Sequence, residues 1–252
     1  MSKTAIITGA SSGIGKSFVK ALLESSECPD SIWIVARRKD KLEEIAVFSS
    51  KIVPVQADLG CDAGMKILLD KLAWEKPDVS LLVNCAGIGK RGNIADRPSS
   101  DISSVVQLNC ITLSVLTREV IPYMNKGAAV INIASSAAFL PQPGFTVYAA
   151  SKSYVVSFSR ALGRELKKTG ITVTAVCPGP VNTEFNRYAT DGKTSEFTGF
   201  RRLIAADPDK LARASLKAAS HKRRLFVYGF LQKVLHVASK LMPVGIFLDI
   251  VY

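Results

Sequence analysis

Short apolar runs alternate with longer stretches of helical spacing along most of the chain, and this alternation restricts the possible folds more than any other feature. The candidate strands are Ala5–Thr8, Ile32–Ala36, Ile52–Gln56, Ser80–Asn84, Ala128–Ala134, Thr172–Cys177 and Leu225–Tyr228. The candidate helices between them are Gly13–Leu23, Asp40–Phe48, Gly64–Leu72, Ser103–Met124, Ala149–Lys168 and Pro208–Ala219. Strands that alternate with helices in this way are typical of βαβ units, whose sheet is parallel and covered on both faces. We therefore predict an α/β fold with a doubly wound parallel sheet of about seven strands.

No fixed-period repeat and no linker divides this pattern into two domains. The 252 residues are enough to bury one substantial core. Because 48% of the residues are hydrophobic, a disordered chain is excluded. We predict that residues 1–220 form one domain and that residues 221–252 are a basic and apolar C-terminal extension of it.

Cysteine and histidine usage narrows the possible chemistry. The five cysteines are widely spaced and include no Cys-x-x-Cys pair, which argues against a disulfide scaffold or a thiolate zinc site and favours a reducing compartment. Two histidines are too few for a site with several histidine ligands, so no metal is predicted. The sequence shows no secretory signal and no uninterrupted apolar stretch that would span a membrane, so we expect a cytoplasmic protein.

The net charge of +12, from 33 Lys and Arg against 21 Asp and Glu, leaves several partners open. A basic chain can bind nucleic acid, an anionic membrane surface or an anionic ligand, or it can carry a solvated basic surface without a partner. The chain has no basic stripe interleaved with aromatic residues and no recognised nucleic-acid-binding module. No nucleic-acid partner is therefore predicted.

A glycine-rich turn, Thr8-Gly9-Ala10-Ser11-Ser12-Gly13-Ile14-Gly15, follows the first predicted strand and opens the first predicted helix. Glycines allow the backbone to approach a ligand closely, and the helix start offers free N–H groups to a pyrophosphate. The spacing G-x-x-x-G-x-G differs from the common dinucleotide fingerprint, and such turns also serve plain helix–strand packing. The position after the first strand favours a cofactor site, with predicted contacts from Gly9, Ser11, Ser12, Gly13, Ile14 and Gly15.

The end of the second predicted strand indicates which dinucleotide binds. An NAD site usually has a carboxylate in this region, whereas this chain has Arg37, Arg38 and Lys39. Arginine suits a 2′-phosphate because its guanidinium donates two parallel hydrogen bonds. The alternative is a solvated cationic cluster at a helix start. We predict NADP(H) as the cofactor, with Arg37 and Arg38 on the phosphate.

Tyr148 and Lys152 lie one helical turn apart at the start of a predicted helix, so their side chains share one face. A tyrosine hydroxyl is a poor base near neutral pH, but a neighbouring ammonium favours the phenolate and lowers its pKa. The spacing alone is a weak motif. It gains weight from Ser135, which follows a predicted strand at the edge of the sheet where α/β sites assemble.

Taken together, these segments and several others resemble the short-chain dehydrogenase/reductase family in its shorter form. The matching pieces cover about residues 1–185 in the family's order: Thr8–Gly15, Asp58-Leu59, Asn84–Gly87, Asn109, Ser135, Tyr148 with Lys152, and Pro178–Thr183. The resemblance implies a Rossmann-like domain. It also implies hydride transfer between a nicotinamide and a carbonyl/alcohol pair.

The resemblance further implies a role for each matching residue. Tyr148 would be the acid/base that exchanges the carbonyl proton, and Ser135 would hydrogen-bond the substrate oxygen. Lys152 would bind the nicotinamide ribose and lower the Tyr148 pKa, and Asn109 would hold a water that connects Lys152 to solvent. Asn109 as an ordinary helix residue and Asp58 as a strand-end cap are the alternatives. The implied cofactor contacts beyond the glycine turn and the two arginines are Asp58, Leu59, Asn84, Ala86, Gly87, Tyr148, Lys152, Pro178, Gly179, Val181 and Thr183. Asn84 and Gly87 would also contact the central sheet.

Two positions depart from the family pattern: Cys85 replaces the second Asn of the usual Asn-Asn-Ala-Gly, and Ala134 replaces a frequent Ser. Neither is expected to do chemistry, and Ser136 is a fallback for Ser135. The predicted function is an NADP(H)-dependent oxidoreductase that acts on a carbonyl or secondary alcohol, with a lipophilic ketone or 3-oxoacyl-type substrate. The alternative is a non-catalytic NADP-binding regulatory or membrane-associated protein on the same fold, which would be expected to lose Ser135, Tyr148 or Lys152.

Substrate identity depends mainly on Glu184–Ala206, a segment that varies in the family. Its aromatic residues suggest an apolar substrate portion, and its arginines are able to meet an anionic group. An exposed lid is the alternative. The segment does not decide between acyl-chain ketones, steroids and other carbonyl compounds.

The C-terminal extension begins with the basic run His221-Lys222-Arg223-Arg224, and Phe230–Met242 has the spacing of an amphipathic helix. Pro243 then precedes the apolar tail Val244–Tyr252. Such a helix lies on an anionic bilayer or packs on its own domain or on a partner subunit. Peripheral membrane contact through residues 221–252 therefore stands beside internal packing, and a homodimer or homotetramer is expected. The apolar side consists of Phe230, Val234, Val237, Ala238 and Leu241.

Overall fold

The computed structural model describes residues 2–192, 205–241 and 245. Its centre is a seven-stranded sheet in the order β3-β2-β1-β4-β5-β6-β7, in which every neighbouring pair is parallel. The predicted doubly wound, Rossmann-like α/β fold is confirmed. The strands are β1 (Lys3–Thr8), β2 (Ser31–Ala36), β3 (Ile52–Gln56), β4 (Asp78–Asn84), β5 (Ala129–Ile133), β6 (Thr172–Pro178) and β7 (Leu225–Tyr228).

Helices connect successive strands and cover both faces of the sheet. Their bounds are α1 (Gly13–Leu23), α2 (Lys39–Ala46), α3 (Asp62–Glu75), α4 (Ser99–Val106), α5 (Leu113–Val120), α6 (Thr146–Glu165), α7 (Phe185–Ala189), α8 (Pro208–Ser220) and α9 (Phe230–Leu241). A π-helical segment, Gln107–Thr112, joins α4 to α5. Short 3₁₀ turns lie at Ile94–Asp96, Ile121–Tyr123, Ser136–Phe139 and Leu166–Lys168.

Alternate residues of the central strands enter two separate cores, because successive side chains of a strand point to opposite faces. Ile7 and Ile34 pack with α1, α2 and α8 on one face. Ile6 and Trp33 pack with α3, α5 and α6 on the other. This two-sided burial explains why the strands appear in the sequence as continuous apolar runs.

The predicted helix Ser103–Met124 is part of a longer continuous helical run, Ser99–Tyr123, made of α4, the π-helical segment, α5 and a 3₁₀ turn. By length and composition alone this run of 25 residues is apolar enough to cross a membrane. Leu116 and Val120 on it are fully buried against the sheet. One side of the run is therefore part of the core of the domain.

The order of the strands reverses between β1 and β4. From β1 the chain continues to β2 and β3 on one side of the sheet, and from β4 it continues to β5, β6 and β7 on the other side. A crevice forms at such a point outside the carboxyl ends of the strands. The segments after β1, β4, β5 and β6 all lead to this edge. They contain most of the residues that the sequence marks as functional.

Candidate active site

The turn between β1 and α1 has a backbone shape that favours glycine. Gly9 and Gly13 have φ angles of +67° and +52°, which lie in the left-handed region. A Cβ on Gly15 would lie 2.3 Å from the Gly9 carbonyl oxygen. Ser12 precedes α1 in an extended conformation and forms no capping bond with its side chain. The first amides of α1 are thus placed as donors for an anion, as a pyrophosphate requires.

The segments that follow β4 and β6 pack against this turn. Thr8 Oγ1 accepts a hydrogen bond from the Ala86 N–H at 3.0 Å, which fixes the segment after β4 beside the glycines. A Cβ on Gly9 would lie 2.9 Å from Ala86 Cα, and one on Gly13 would lie 2.9 Å from Thr183 Cγ2. Three segments with predicted cofactor contacts therefore meet at one edge of the sheet.

The two predicted phosphate ligands, Arg37 and Arg38, border the same region. Arg38 Nη2 donates to Ser11 Oγ at 3.2 Å, and Arg38 Nη1 pairs with Glu184 Oε2 at 3.0 Å. Arg37 lies beside Asp58 along a cleft of about 410 Å³, which is also lined by Gln56, Ala57, Gly64 and Ile67. Arg38 thus already has a carboxylate partner from the loop after β6.

Ser135, Tyr148 and Lys152 are positioned at the carboxyl end of β5. Ser135 follows β5, and its Oγ accepts the Ala137 N–H at 3.1 Å, which holds the side chain at the start of a 3₁₀ turn. Tyr148 and Lys152 lie on the first two turns of α6 and are 8% and 6% exposed. Lys152 Nζ donates to the Ile133 carbonyl at 2.9 Å and lies 5.6 Å from the centroid of the Tyr148 ring.

Burial controls the pKa of both titratable groups. It raises the pKa of Tyr148 to about 12, whereas a side-chain hydrogen bond with Ser135 and the charge of Arg91 act in the opposite direction. Burial also lowers the pKa of Lys152 to about 8, since desolvation penalises the ammonium. The net pKa of Tyr148 is thus raised, because desolvation of the phenolate outweighs these two favourable contributions. The lowering of this pKa by Lys152 stays a prediction. Tyr148 therefore keeps its proton at neutral pH.

Asn109 lies on the π-helical segment, a widened turn of a kind frequent at functional sites. Its Oδ1 accepts the Ile88 N–H at 2.9 Å, and its Nδ2 donates to the Ile88 carbonyl and to Ser151 Oγ, both at 2.9 Å. Asn109 thereby ties the segment after β4 to α6. A Cβ on Gly87 would lie 3.1 Å from Asn109 Oδ1 and 3.4 Å from Lys152 Nζ. The water link from Lys152 to solvent stays a prediction.

Two predicted cofactor residues have side chains that point into the protein interior. The Asn84 side chain is 3% exposed and donates to Thr117 Oγ1 and Asn132 Oδ1, both at 2.8 Å. Asn132 in turn donates to Ser159 Oγ at 2.9 Å. Asn84 therefore joins the sheet to α5 and, through Asn132, to α6, because a buried amide needs partners inside the protein. The Leu59 side chain packs in the core between the sheet and α3.

The other predicted residues lie close to the crevice or support it. Asp58 Oδ1 accepts the Gly60 N–H at 3.0 Å, which shapes the turn after β3. Pro178 ends β6, and Gly179 packs against Gln232 of α9. Val181 forms a parallel bridge with Ala206, so the segment before α7 is anchored to the domain. Ile14 packs on the core as part of α1.

Sequence reasoning missed an aromatic and cationic wall around Tyr148. Phe145 stacks on Tyr148 with ring centroids 4.3 Å apart. The ring centroid of Phe185, at the start of α7, lies 5.3 Å from that of Tyr148. Arg91 sits over the Phe145 ring at 4.4 Å. Phe185 belongs to the segment already marked for substrate binding. Arg91 and Phe145 stand in loops without periodicity, so only their closeness in sequence to Gly87 and Tyr148 pointed to them.

These residues fit a dinucleotide with a nicotinamide. The glycine turn leaves the space that side chains would fill, and the amides of α1 supply donors for phosphates. The Arg37 cleft extends from the same edge toward Asp58. Within residues 2–192, 205–241 and 245, no group of three or more His, Cys, Asp or Glu side chains is placed to hold a metal ion.

A doubly wound sheet with this glycine turn and a Ser, Tyr and Lys group at its edge defines a class of dinucleotide-dependent oxidoreductases. The chain can be placed more narrowly. The profile of the family described as short chain dehydrogenase matches residues 3–194, and the chain belongs to this family.

Two relatives illustrate the range of similarity. The chain is 36% identical over 190 residues to a short chain dehydrogenase of Pseudocercospora fijiensis, which covers 72% of this chain and 60% of that protein. It is 28% identical over 223 residues to the 3-oxoacyl-[acyl-carrier-protein] reductase FabG of Chlamydia pneumoniae, which covers 86% of this chain and 90% of that protein.

Two solved structures share the fold over nearly their whole length. A short-chain dehydrogenase from Sphingobium yanoikuyae in complex with NADPH has a TM-score of 0.77 and 27% identity, covering 98% of this chain and 96% of that one. The 3-ketoacyl-(acyl-carrier-protein) reductase from Brucella melitensis complexed with NADH has a TM-score of 0.75 and 26% identity, covering 90% and 96%. Similar proteins thus bind either nicotinamide dinucleotide.

Proposed function

We propose that this protein is an NADP(H)-dependent reductase that converts a carbonyl to a secondary alcohol. The observation that carries the proposal is that Ser135, Tyr148 and Lys152 lie together at the carboxyl end of β5, where Lys152 Nζ also lies beside the segment after β4 that packs on the glycine turn. When bound, the nicotinamide supplies the hydride. The proton and the hydrogen bonds to the substrate oxygen are assigned to side chains of this chain.

Ser135 and Tyr148 present hydroxyl groups to the substrate oxygen. Because the pKa of Tyr148 is about 12, the hydroxyl is protonated at neutral pH and can donate its proton as negative charge develops on that oxygen. The Ser135 hydroxyl donates a second hydrogen bond to the substrate oxygen, and its Oγ is held in place by the Ala137 N–H. Lys152, anchored on the Ile133 carbonyl, keeps a positive charge next to the Tyr148 ring and favours the phenolate left after proton transfer.

The choice of NADP(H) over NAD(H) rests on Arg37 and Arg38. Arg37 lines the cleft beside Asp58, and Arg38 contacts Ser11 of the glycine turn. The 2′-phosphate of NADP(H) is the group that two guanidiniums suit best. The NADPH complex of the Sphingobium yanoikuyae relative supports this choice. The NADH complex of the Brucella melitensis relative makes a direct test necessary.

Replacing Arg38 with Gln is expected to lower kcat/KM for NADPH by about 10- to 100-fold, because a hydrogen bond to a charged group is worth about 1.5–3 kcal/mol. The value for NADH is expected to change less than about threefold. Lys39→Gln, which removes the adjacent exposed cation, is the matched control. Steady-state kinetics with both cofactors measure the effect. Equal losses with NADPH and NADH would contradict the assignment of Arg38 to the 2′-phosphate.

Glu184 competes with the 2′-phosphate for Arg38, since the two side chains form an ion pair in the structure. Glu184→Gln is therefore expected to tighten NADPH binding by up to about fivefold, the range of a partly exposed ion pair. NADH has no phosphate at that position, so its affinity is expected to stay the same. Fluorescence titration with both cofactors measures the change. Tighter binding of both, or of neither, would show that Glu184 does not compete.

The substrate is proposed to be a lipophilic ketone or a 3-oxoacyl compound. Phe145 and Phe185 line the surroundings of Tyr148 with apolar surface, and the similarity to the FabG protein of Chlamydia pneumoniae supports the 3-oxoacyl class. NADPH oxidation with a panel of aldehydes, ketones and 3-oxoacyl thioesters tests the proposal. Failure of every carbonyl in the panel, despite NADPH binding, would favour a non-catalytic protein.

We also propose a cytoplasmic homodimer or homotetramer in which residues 1–220 form the catalytic domain. We propose that residues 221–252 extend the same domain, and the pairing of β7 with β6 in the central sheet supports this for the described part of the segment. Size-exclusion chromatography with light scattering measures the oligomeric state. A monomer at micromolar concentration would contradict it.

A further inference from the structure

Helix α9 packs on the domain through a mostly polar side. Gln232 is 7% exposed, and a Cβ on Gly179 would lie 2.1 Å from its Nε2. His236 lies one turn further and contacts Phe139 with ring centroids 4.3 Å apart. Ser239 continues the same stripe at the next turn. A surface helix of a globular protein normally buries its apolar side, so α9 has the reverse orientation.

The opposite side of α9 carries an apolar stripe that points to solvent. Phe230, Val234, Val237 and Leu241 are spaced i, i+4, i+7 and i+11, which places them on one face. Their exposed fractions are 83%, 48%, 55% and 81%. Leu231 lies beside them and is 45% exposed. A contiguous apolar patch on this scale marks an interaction site.

The charges around this stripe are positive. Residues 221–241 contain five Lys and Arg and no Asp or Glu. Lys233 and Lys240 are exposed on one flank of the stripe, and Arg160 of α6 lies close enough to contribute, after burial and Lys240, to the lowered pKa of His236. No carboxylate among the described residues pairs with Lys233 or Lys240.

This distribution of charge favours a lipid surface over a second copy of the chain. In a two-fold contact the same patch meets itself, so the cations beside the stripe would face each other without a carboxylate from this segment. An anionic bilayer accepts the apolar stripe at the acyl boundary and neutralises the flanking ammonium groups. The long lysine stems allow the charges to reach the headgroups. The sequence after α9, Met242–Tyr252, continues with mostly apolar residues.

We propose that α9 is a peripheral anchor that lies in the surface of an anionic bilayer. Phe230, Val234, Val237 and Leu241 enter the acyl boundary, while Lys233 and Lys240 contact lipid phosphates. The anchor does not depend on the proposed reaction, because none of these residues touches the catalytic group.

Co-sedimentation of the full chain with vesicles tests the anchor. We expect binding to phosphatidylglycerol vesicles, weaker binding at high salt, and little binding to phosphatidylcholine vesicles. Val234→Glu/Val237→Glu is expected to weaken binding by about tenfold or more, since it removes apolar area from the stripe. Lys233→Gln/Lys240→Gln is expected to weaken binding by about 30-fold, or about fivefold for each cation lost.

A charge-matched control is Val47→Glu/Trp74→Glu, which places two carboxylates at exposed apolar positions, one directly after α2 (84% exposed) and one on α3 (87% exposed). Its binding is expected to exceed that of Val234→Glu/Val237→Glu. Equal losses in the two double variants, or no sedimentation of the wild-type chain, would overturn the proposal. A change from oligomer to monomer in Val234→Glu/Val237→Glu, measured by light scattering without lipid, would also overturn it in favour of contact between copies. Circular dichroism checks that each variant is folded.

Discussion

Replacing Tyr148 with Phe is expected to lower kcat for carbonyl reduction by about 10²–10⁴, the usual worth of a positioned general acid. The change removes only the hydroxyl, whose pKa the Ser135 side chain helps to lower. The ring keeps its place between Phe145 and Phe185, whose centroids lie 4.3 Å and 5.3 Å away. Fold and NADPH affinity are therefore expected to survive. Single-turnover kinetics at saturating NADPH measure the loss at the chemical step.

Tyr154→Phe is the matched control for this variant. Tyr154 lies on the same helix, is 44% exposed, and shares a hydrogen bond with Ser114 Oγ at 2.8 Å. Its change is expected to leave kcat within about twofold, since the hydroxyl is far from the reacting atoms. Turnover by Tyr148→Phe within tenfold of the wild-type rate would show that the proton comes from another group. Ser135 and Ser136 would then be the first residues to examine.

The sheet could be predicted from the sequence because its strands are buried on both faces. Residues such as Ile6 and Ile7 enter opposite cores, which produces an uninterrupted β-branched run. The glycine turn was also predictable, because the backbone at Gly9 and Gly13 adopts positive φ angles that glycine tolerates best. The residue types within each short segment were therefore enough to predict the strands and the turn.

Features that depend on distant contacts were not predictable. The Asn84 side chain faces Thr117 and Asn132 instead of the crevice, and no local pattern shows which way a strand-end amide turns. The ion pair of Arg38 with Glu184 joins residues 146 positions apart. The amphipathic pattern of α9 predicted a helix correctly, but periodicity alone does not say which side faces the domain.

The buried charge of Lys152, which the proposed reaction needs, lowers the stability of the fold. The ammonium is 6% exposed, and its hydrogen bond goes to the neutral carbonyl of Ile133. The titratable groups that act on its pKa are the thiols of Cys85, Cys110 and Cys177. Burial raises the pKa of each of these thiols, so they are uncharged near neutral pH. Lys152 therefore holds a buried charge that no carboxylate among the described residues neutralises, which costs free energy of folding.

Replacing Lys152 with Met is expected to stabilise the fold by about 1–3 kcal/mol at neutral pH, because an apolar chain of similar length removes the desolvated charge. Activity is expected to fall by about 10² or more, since the charge that favours the Tyr148 phenolate is lost. Urea unfolding and NADPH oxidation measure the two effects. Lys167→Met, at an exposed position just after α6, is expected to change neither stability nor activity measurably.

The stability gain of Lys152→Met is expected to depend on pH in a defined direction. The pKa of Lys152 is lowered from 10.5 to about 8 in the folded protein. Between these two values the unfolded chain holds a proton that the folded protein has released, so the wild-type free energy of unfolding rises with pH across that window. The variant lacks this group, and its advantage is therefore expected to shrink by more than half between about pH 7 and about pH 9.5. A variant that is less stable than the wild type at neutral pH, or an advantage that grows with pH, would show that Lys152 carries no burial penalty in the fold.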